Sequence, residues 1–452
     1  MTSNVPDRVP SCGSSLRIAE MRVHPIAVPD PPLRSSYGLH APYALRTIVE
    51  IESKGGAIGL AETHGAESTA EALRALAKEI AGADPYRLLG SLAAQNGDSP
   101  STGGASIDRS QNYLVPGENP ADLKARVTSA IEIACLDLIG KTVGRPVCDL
   151  LGRARDEVCF SAYAFYKHAG GGGQGVDTQR DEYGEARTPE GLVKQVQQLI
   201  AEHGFEDVKL KAGVLDPDIE IETIRQLREA LGPNAPLRLD PNCAWSVETS
   251  VRVGKALQAE LGNGGYLEDP TASLAGMAEV RRRLLEAGVN TPLASNVAVT
   301  SFADLPETIR TDAVQIVLCD PHYWGGIRQA QHLGKICDTF GLGLSMHSNT
   351  HLGVSLMAMA HAAACTPSLR YACDTHYPWQ SAACEIVKGG RIKFDRGRIR
   401  IPDQPGLGVE LDYDRLALGR ERYTRCGYRK RDDAAEMRKR VDPNWQRTLP
   451  RW

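Results

Sequence analysis

Hydrophobic and polar positions change rhythm twice along the chain. Residues 16–66 alternate as strands do: Thr47-Ile48-Val49-Glu50-Ile51 runs into the turn Ser53-Lys54-Gly55-Gly56 and returns through Ala57-Ile58-Gly59-Leu60-Ala61-Glu62, a predicted hairpin. Helical spacing follows over 68–82 and over 124–151, where Ile131, Ala134, Cys135, Leu138 and Ile139 share one face. Between them, 95–118 is rich in Gly, Ser, Asn and Asp and reads as a loop. From about 157 the rhythm becomes short apolar strands alternating with helices. The predicted strands are 159–166, 208–211, 237–240, 266–269, 293–296, 314–320, 344–347 and 371–374. From Lys211 the steps to Asp240, Glu268 and Asn296 are 29, 28 and 28 residues. A parallel (β/α)8 barrel needs roughly 31 residues per unit, so count and spacing both predict an α/β chain built on a TIM-type barrel. A helix is predicted over 219–231, entered through Asp216-Pro217-Asp218 and stopped at Gly232-Pro233. The longest connection, 167–190, holds four glycines at 170–173 and reads either as a lid or as a disordered surface insertion. After 385 strands and turns resume, and the charged tail from 415 is expected to pack on the N-terminal unit. The boundaries that follow are 1–15 disordered, 16–155 α+β, 156–385 barrel and 386–452 a returning C-terminal segment.

Composition narrows the class. Over 452 residues, 42% are apolar and 24% charged, enough for a large core and a smaller second unit. A net charge of −4 offers no footprint for nucleic acid or an anionic membrane. The cysteines number 11, with no Cys-x-x-Cys pair and several inside apolar runs, which suits buried thiols in a reducing compartment. No apolar run approaches the roughly 20 residues of a membrane span, and 1–15 has no signal-peptide core. A cytoplasmic enzyme, assembled as a homo-oligomer, is the expectation.

Barrel active sites form where strands end, so polar residues there carry the chemistry. Asp240, Glu268 and Asn296 end three neighbouring strands and converge as hard oxygen ligands suited to Mg²⁺. Lys209 and Lys211 alternate on one strand, and unpaired lysines on an inner face are costly. Snorkelling at a strand end is the bland reading; a base, kept neutral by its like-charged neighbour, is the sharp one. Across the mouth, Asp320 ends the strand beside His347 and would orient its imidazole. A metal, a lysine and a histidine around one ligand suit removal of a proton next to a carboxylate, the developing charge being met by cations.

With these residues in place the chain resembles the enolase superfamily, in its mandelate-racemase-like branch, and most closely the glucarate dehydratases. The carriers are Lys209-Leu210-Lys211, Asp240-Pro241-Asn242-Cys243-Ala244-Trp245, Glu268-Asp269-Pro270, Asp320-Pro321-His322-Tyr323-Trp324, His347-Ser348-Asn349, Asp374-Thr375-His376 and Pro405-Gly406-Leu407-Gly408. The resemblance implies an N-terminal α+β capping domain over a modified barrel, completed by the C-terminal segment. Its lysine and histidine bases with Mg²⁺ are a general pattern of that superfamily and not a deduction from these residues. It implies Lys211 as one base and the His347–Asp320 dyad as the other, with Asp240, Glu268 and Asn296 on the metal. Lys209, Asn242, Ser348, Asn349, His376, His40, Tyr163 and Arg431 would hold a six-carbon diacid sugar. In the best-known glucarate dehydratases the middle ligand is a Glu beyond this motif, where Thr271-Ala272-Ser273-Leu274-Ala275-Gly276 offers none; Glu268 is expected to serve, with Asp269 second. Ala212 and Cys243 stand where glycines are usual, a change that bears on substrate shape. The implied reaction converts D-glucarate to 5-dehydro-4-deoxy-D-glucarate and water. Its rivals are another acid-sugar dehydratase, an aldarate epimerase, Schiff-base aldolase chemistry at Lys211, or a non-catalytic homologue.

Overall fold

In the computed structural model, residues 15–97 and 120–452 are described. The expectations for 1–15 and for loop 95–118 fall almost wholly outside them. Strands β1 (Ile18–Pro29), β2 (Tyr43–Ser53) and β3 (Ile58–His64) form an antiparallel sheet in that order. The predicted hairpin closes with Ser53 N donating to Ala57 O at 2.8 Å, and Gly56 turns at φ 83°. Helices α1 (Glu67–Ile80), α2 (Pro85–Gly97) and α3 (Pro120–Val143) follow. α3 lies so close to β3 that a Cβ at Gly59 would collide with Ala134 O.

The second unit is a curled parallel sheet of seven strands in sequential order: β4 (Ser161–Phe165), β5 (Asp207–Lys211), β6 (Leu237–Asp240), β7 (Tyr266–Glu268), β8 (Leu293–Ser295), β9 (Ile316–Cys319) and β10 (Gly343–Met346). The predicted first strand is split, since Glu157–Cys159 pairs antiparallel with Arg398–Arg400 before β4 begins. The predicted eighth strand is not a strand. Segment 369–374 instead closes the two edges through isolated parallel bridges, with Cys373 N to Cys159 O and Ser161 N to Cys373 O at 2.8 and 2.9 Å on one side and Asp374 N to Met346 O and Arg370 N to Leu344 O at 2.8 and 3.3 Å on the other. Between these bridges the Ala372 carbonyl accepts Arg238 Nη1 at 2.8 Å and Ser345 Oγ at 3.2 Å. Outer helices alternate with the strands, among them α4 (Pro189–His203), α5 (Pro217–Leu231), α6 (Val247–Ala256), α7 (Leu274–Glu286), α8 (Ile327–Phe340) and α9 (Gly353–Ala364). Asp216 caps α5 and Gly232 ends it at φ 78°, as its flanking residues predict.

The connection 167–190 is ordered against the rest of the fold, which corrects the reading of a disordered insertion. Gly173 N donates to Pro42 O, Lys167 Nζ lies 2.8 Å from Asp181 Oδ1, and Asp177 is gripped by Arg422 and Arg425 at 3.2 and 2.6 Å. Those arginines belong to α10 (Tyr413–Cys426), which packs on β1 through Arg422 Nη1 to Ala27 O at 3.0 Å. The N-terminal unit in turn holds the barrel by its helix ends. Glu62 of β3 accepts Leu352 N and Ser355 N, both at 2.9 Å, at the start of α9. Glu132 of α3 accepts Ile327 N and Arg328 N at 3.0 and 3.1 Å at the start of α8. Bare amides at a helix start favour such carboxylates. Ten cysteines among the described residues are free, eight of them buried, and no described helix is long and apolar enough to cross a membrane.

Candidate active site

The C-terminal ends of the barrel strands carry the side chains that sequence spacing selects. At one corner, Asp240 Oδ2 accepts from Lys211 Nζ at 2.7 Å and Tyr163 OH at 3.1 Å, while Oδ1 takes the amide N and Nδ2 of Asn242, both at 3.1 Å. Glu268 Oε2 lies 2.6 Å from Lys209 Nζ as an ion pair, and Oε1 has no hydrogen-bond partner. Asn296 Oδ1 is likewise buried and unpartnered. Burial and the charge of Asp240 push the Glu268 carboxyl well above its ordinary range. Idle buried oxygens and a carboxylate pair in mutual repulsion are what a hard divalent cation would relieve. Among the described residues no three His, Cys, Asp or Glu side chains form a cluster that could hold a metal. Asp269 is spent elsewhere. It accepts Ser295 Oγ at 2.6 Å and the amides of Asn296 and Val297 at 2.8 and 3.1 Å, which shapes the loop carrying Asn296. Burial raises its carboxyl to about 6 against those donors.

The two lysines divide differently from expectation. Lys209 is fully buried, with Nζ 2.7 Å from Asp374 Oδ2 and 3.5 Å from Asp240 Oδ2 besides Glu268. Its ammonium faces these carboxylates, and Lys209 is not among the residues that line the cleft. Nor does it leave Lys211 neutral: burial is the largest single influence and acts downward, as Lys209 does, but Asp240, Tyr37 and Glu268 together raise the Lys211 amine. Asn242 is also turned away from the cleft, at φ 52°, to clamp Asp240.

Opposite in the strand order, Asp320 serves two imidazoles. Its Oδ2 lies 3.1 Å from His347 Nδ1 and its Oδ1 2.7 Å from His322 Nδ1. Burial works against ionisation of Asp320, yet His322 and His347 hold its carboxyl well below the usual range. An ionised carboxylate only accepts, so His347 presents Nδ1–H to it and keeps Nε2 for the cleft.

A partly open cleft is lined by Tyr37, His40, Tyr163, Phe165, Lys211, His347, Ser348, Asn349, Thr350, His376 and Arg431. Eight residues expected at the site meet there: Lys211, His347, Ser348, Asn349, His376, His40, Tyr163 and Arg431. Ser348 Oγ lies 3.0 Å from His376 Nδ1, and burial holds that imidazole well below its ordinary range, hence neutral. Arg431 forks onto Asp433 at 2.7 Å through Nε and Nη2. Sequence reasoning missed Tyr37, Phe165 and Thr350; the adjacency of Thr350 to Ser348-Asn349 and of Tyr37 to the turn before His40 were the available signals.

Residues 191–415 match the Enolase C-terminal domain-like family. A protein of Streptomyces coelicolor named Probable glucarate dehydratase is 45% identical over 445 residues, covering 97% of this chain and 99% of its own length. The chain belongs to the enolase superfamily. A solved superfamily structure from Pseudomonas fluorescens, with bound magnesium, potassium and tartrate, superposes with a TM-score of 0.87 at 44% identity, over 96% of this chain and 99% of the other. A more distant superfamily relative is the L-talarate/galactarate dehydratase of Salmonella typhimurium, 27% identical over 375 residues and 80% of each chain. The matched superfamily stretch contains every strand-end residue from Lys209 to His376. Tyr37, His40, Tyr163 and Arg431 lie outside it, so part of the cleft wall comes from beyond the matched domain.

Proposed function

We propose that this chain is a Mg²⁺-dependent dehydratase of six-carbon diacid sugars, D-glucarate first, which gives 5-dehydro-4-deoxy-D-glucarate and water. Its class is that of a carbon–oxygen lyase, as for the relatives named glucarate and galactarate dehydratase. The observation that carries the reading is that Lys211 and the Asp320-backed His347 line one cleft, while Glu268 and Asn296 keep unpartnered oxygens at neighbouring strand ends. The chemistry Mg²⁺ supplies when held by Asp240, Glu268 and Asn296 is positive charge beside the substrate carboxylate, in competition with Lys211 for the charge of Asp240. Lys211 or His347 takes the proton from the carbon next to that carboxylate. His347, carrying a proton on Nε2 and supported by Asp320, gives it to the departing β-hydroxyl, which leaves as water. Ser348, Asn349, His376, His40, Tyr163 and Arg431 orient the polyhydroxy chain. A homo-oligomer working in the cytoplasm belongs to the same reading, and light scattering decides the first part.

Two bases on one cleft also favour a second reading, epimerisation of the same diacids. Incubation of the enzyme with a panel of aldarates and aldonates, Mg²⁺ and D₂O, read by NMR, separates the two. A keto-deoxy diacid from D-glucarate is the expected product; deuterium exchange without water loss on every substrate sinks the dehydratase.

A further inference from the structure

Asp30 directly follows β1, is 1% exposed and takes no part in the chemistry above. Its Oδ2 lies 3.0 Å from His40 Nδ1 and 3.7 Å from Arg431 Nη1. Its Oδ1 accepts Gln380 Nε2 at 3.3 Å and Thr350 Oγ1 at 3.4 Å. Three of these four partners line the cleft, and they come from remote parts of the chain: the loop after β1, the loop after β10 and the tail. The carboxylate itself is held still, because Asp30 N donates to Pro42 O at 2.9 Å. Gly172 of the strapped 167–190 connection also runs against its backbone, where any Cβ would collide. Burial opposes its charge, but His40 and Arg431 keep the carboxyl below its ordinary range.

An ionised Asp30 can only accept, so His40 gives it Nδ1–H and turns Nε2 toward the cleft. Thr350 spends its hydroxyl proton on the same carboxylate and offers lone pairs. Arg431, with Nε and Nη2 spent on Asp433, keeps Nη1 between Asp30 and the cleft. We propose that Asp30 is a positioning residue that locks His40, Thr350 and Arg431 into one polar wall of the cleft, and that this wall meets the polar groups of the acid sugar. The inference rests on the acid-sugar reading above.

The test compares wild type, Asp30→Asn and Asp30→Ala, loaded with Mg²⁺, on D-glucarate. Losing the support of substrate-facing groups raises KM about 10- to 100-fold in Asp30→Ala, with kcat changed less than about threefold. Asp30→Asn keeps a carbonyl acceptor for His40 and recovers part of the loss. Independently of any substrate, ¹⁵N NMR of His40 reports Nδ1–H in wild type and Asp30→Asn, and a shift toward Nε2–H in Asp30→Ala. Wild-type KM in Asp30→Ala, or a fall in kcat at unchanged KM, overturns the assignment, as does an unaltered His40 tautomer. If wild type turns over no aldarate, the acid-sugar reading fails, and the tautomer measurement alone then decides whether Asp30 positions His40.

Discussion

Replacing Lys209 by Met removes a cation from the centre of the barrel mouth while keeping much of the stem's length and apolar bulk. Three carboxylates surround that ammonium, Glu268 at 2.6 Å, Asp374 at 2.7 Å and Asp240 at 3.5 Å, all buried. With an effective dielectric of 20, each such contact is about 5–6 kcal/mol of gross attraction. Desolvation of the four groups cancels most of it, and deleting one partner of a buried pair costs about 3–5 kcal/mol, because the other charges stay behind unpaired. That is a large share of a domain's whole stability of about 5–15 kcal/mol. Lys209→Met should therefore lose about 3–5 kcal/mol in urea unfolding followed by circular dichroism in EDTA. Mg²⁺ binding the native state stabilises it by mass action, and the variant, with an uncompensated acidic pocket, should gain more from added Mg²⁺ than wild type does. A variant matching wild type within about 0.5 kcal/mol in EDTA, well inside the loss that buried pairs show, would refute the internal counter-charge.

Lys211→Met should abolish exchange at one face of the substrate carbon and cut dehydration by roughly 10²–10⁴, while exchange through His347 persists; intact turnover contradicts the assignment. Asp269→Ala strands the Asn296 amide and leaves Val297 N only its 3.3 Å contact to Ser295 Oγ, an expected cost of about 1–3 kcal/mol, and weakens Mg²⁺ binding measured by calorimetry. The buried Glu220 carboxyl, which accepts Gly213 N, Val214 N and Leu215 N beyond Lys211, is pushed by burial from 4.5 to about 7. Its raised value means stability present below the unfolded pKa and lost as pH rises through the folded one. Relative to Glu220→Gln, wild type should thus lose about 3 kcal/mol of unfolding free energy between pH 5 and 8; a flat difference contradicts it.

Barrel and catalytic corner are legible because a strand end buries polar groups only for a reason, and Asp240, Glu268 and Asn296 repeat that exception at even spacing. Depth is not legible. Lys209 and Lys211 share the inner face of β5, but two residues of strand set Lys209 about 7 Å deeper, in the carboxylate layer below the cleft. Asn242 follows its metal-corner neighbour as a substrate ligand would, and only its left-handed backbone shows that it turns back on Asp240. The eighth barrel segment has strand-like alternation, yet it meets its two neighbours only at isolated bridges, and its Ala372 carbonyl goes to Arg238 and Ser345. Asp30, Tyr37 and Thr350 act through partners hundreds of residues away in some cases, and no local rhythm encodes that. The glycines at 170–173 signal freedom in sequence and serve close approach in the fold, Gly172 against Asp30 and Gly173 against Asp177.

Glu62 and Glu132 give the chain a property that its two-part outline hides. Each is supplied by the N-terminal unit, and each closes the first turn of a barrel helix, α9 or α8. A barrel excised alone would start both helices on bare amides in what had been buried surroundings, at about 1 kcal/mol or more for each lost cap. Recombining this barrel with a foreign N-terminal unit would meet the same debt unless carboxylates arrive at those two points. The exchangeable piece is therefore the whole described chain, and substrate preference can be retuned within the cleft wall but not by trading one half for another.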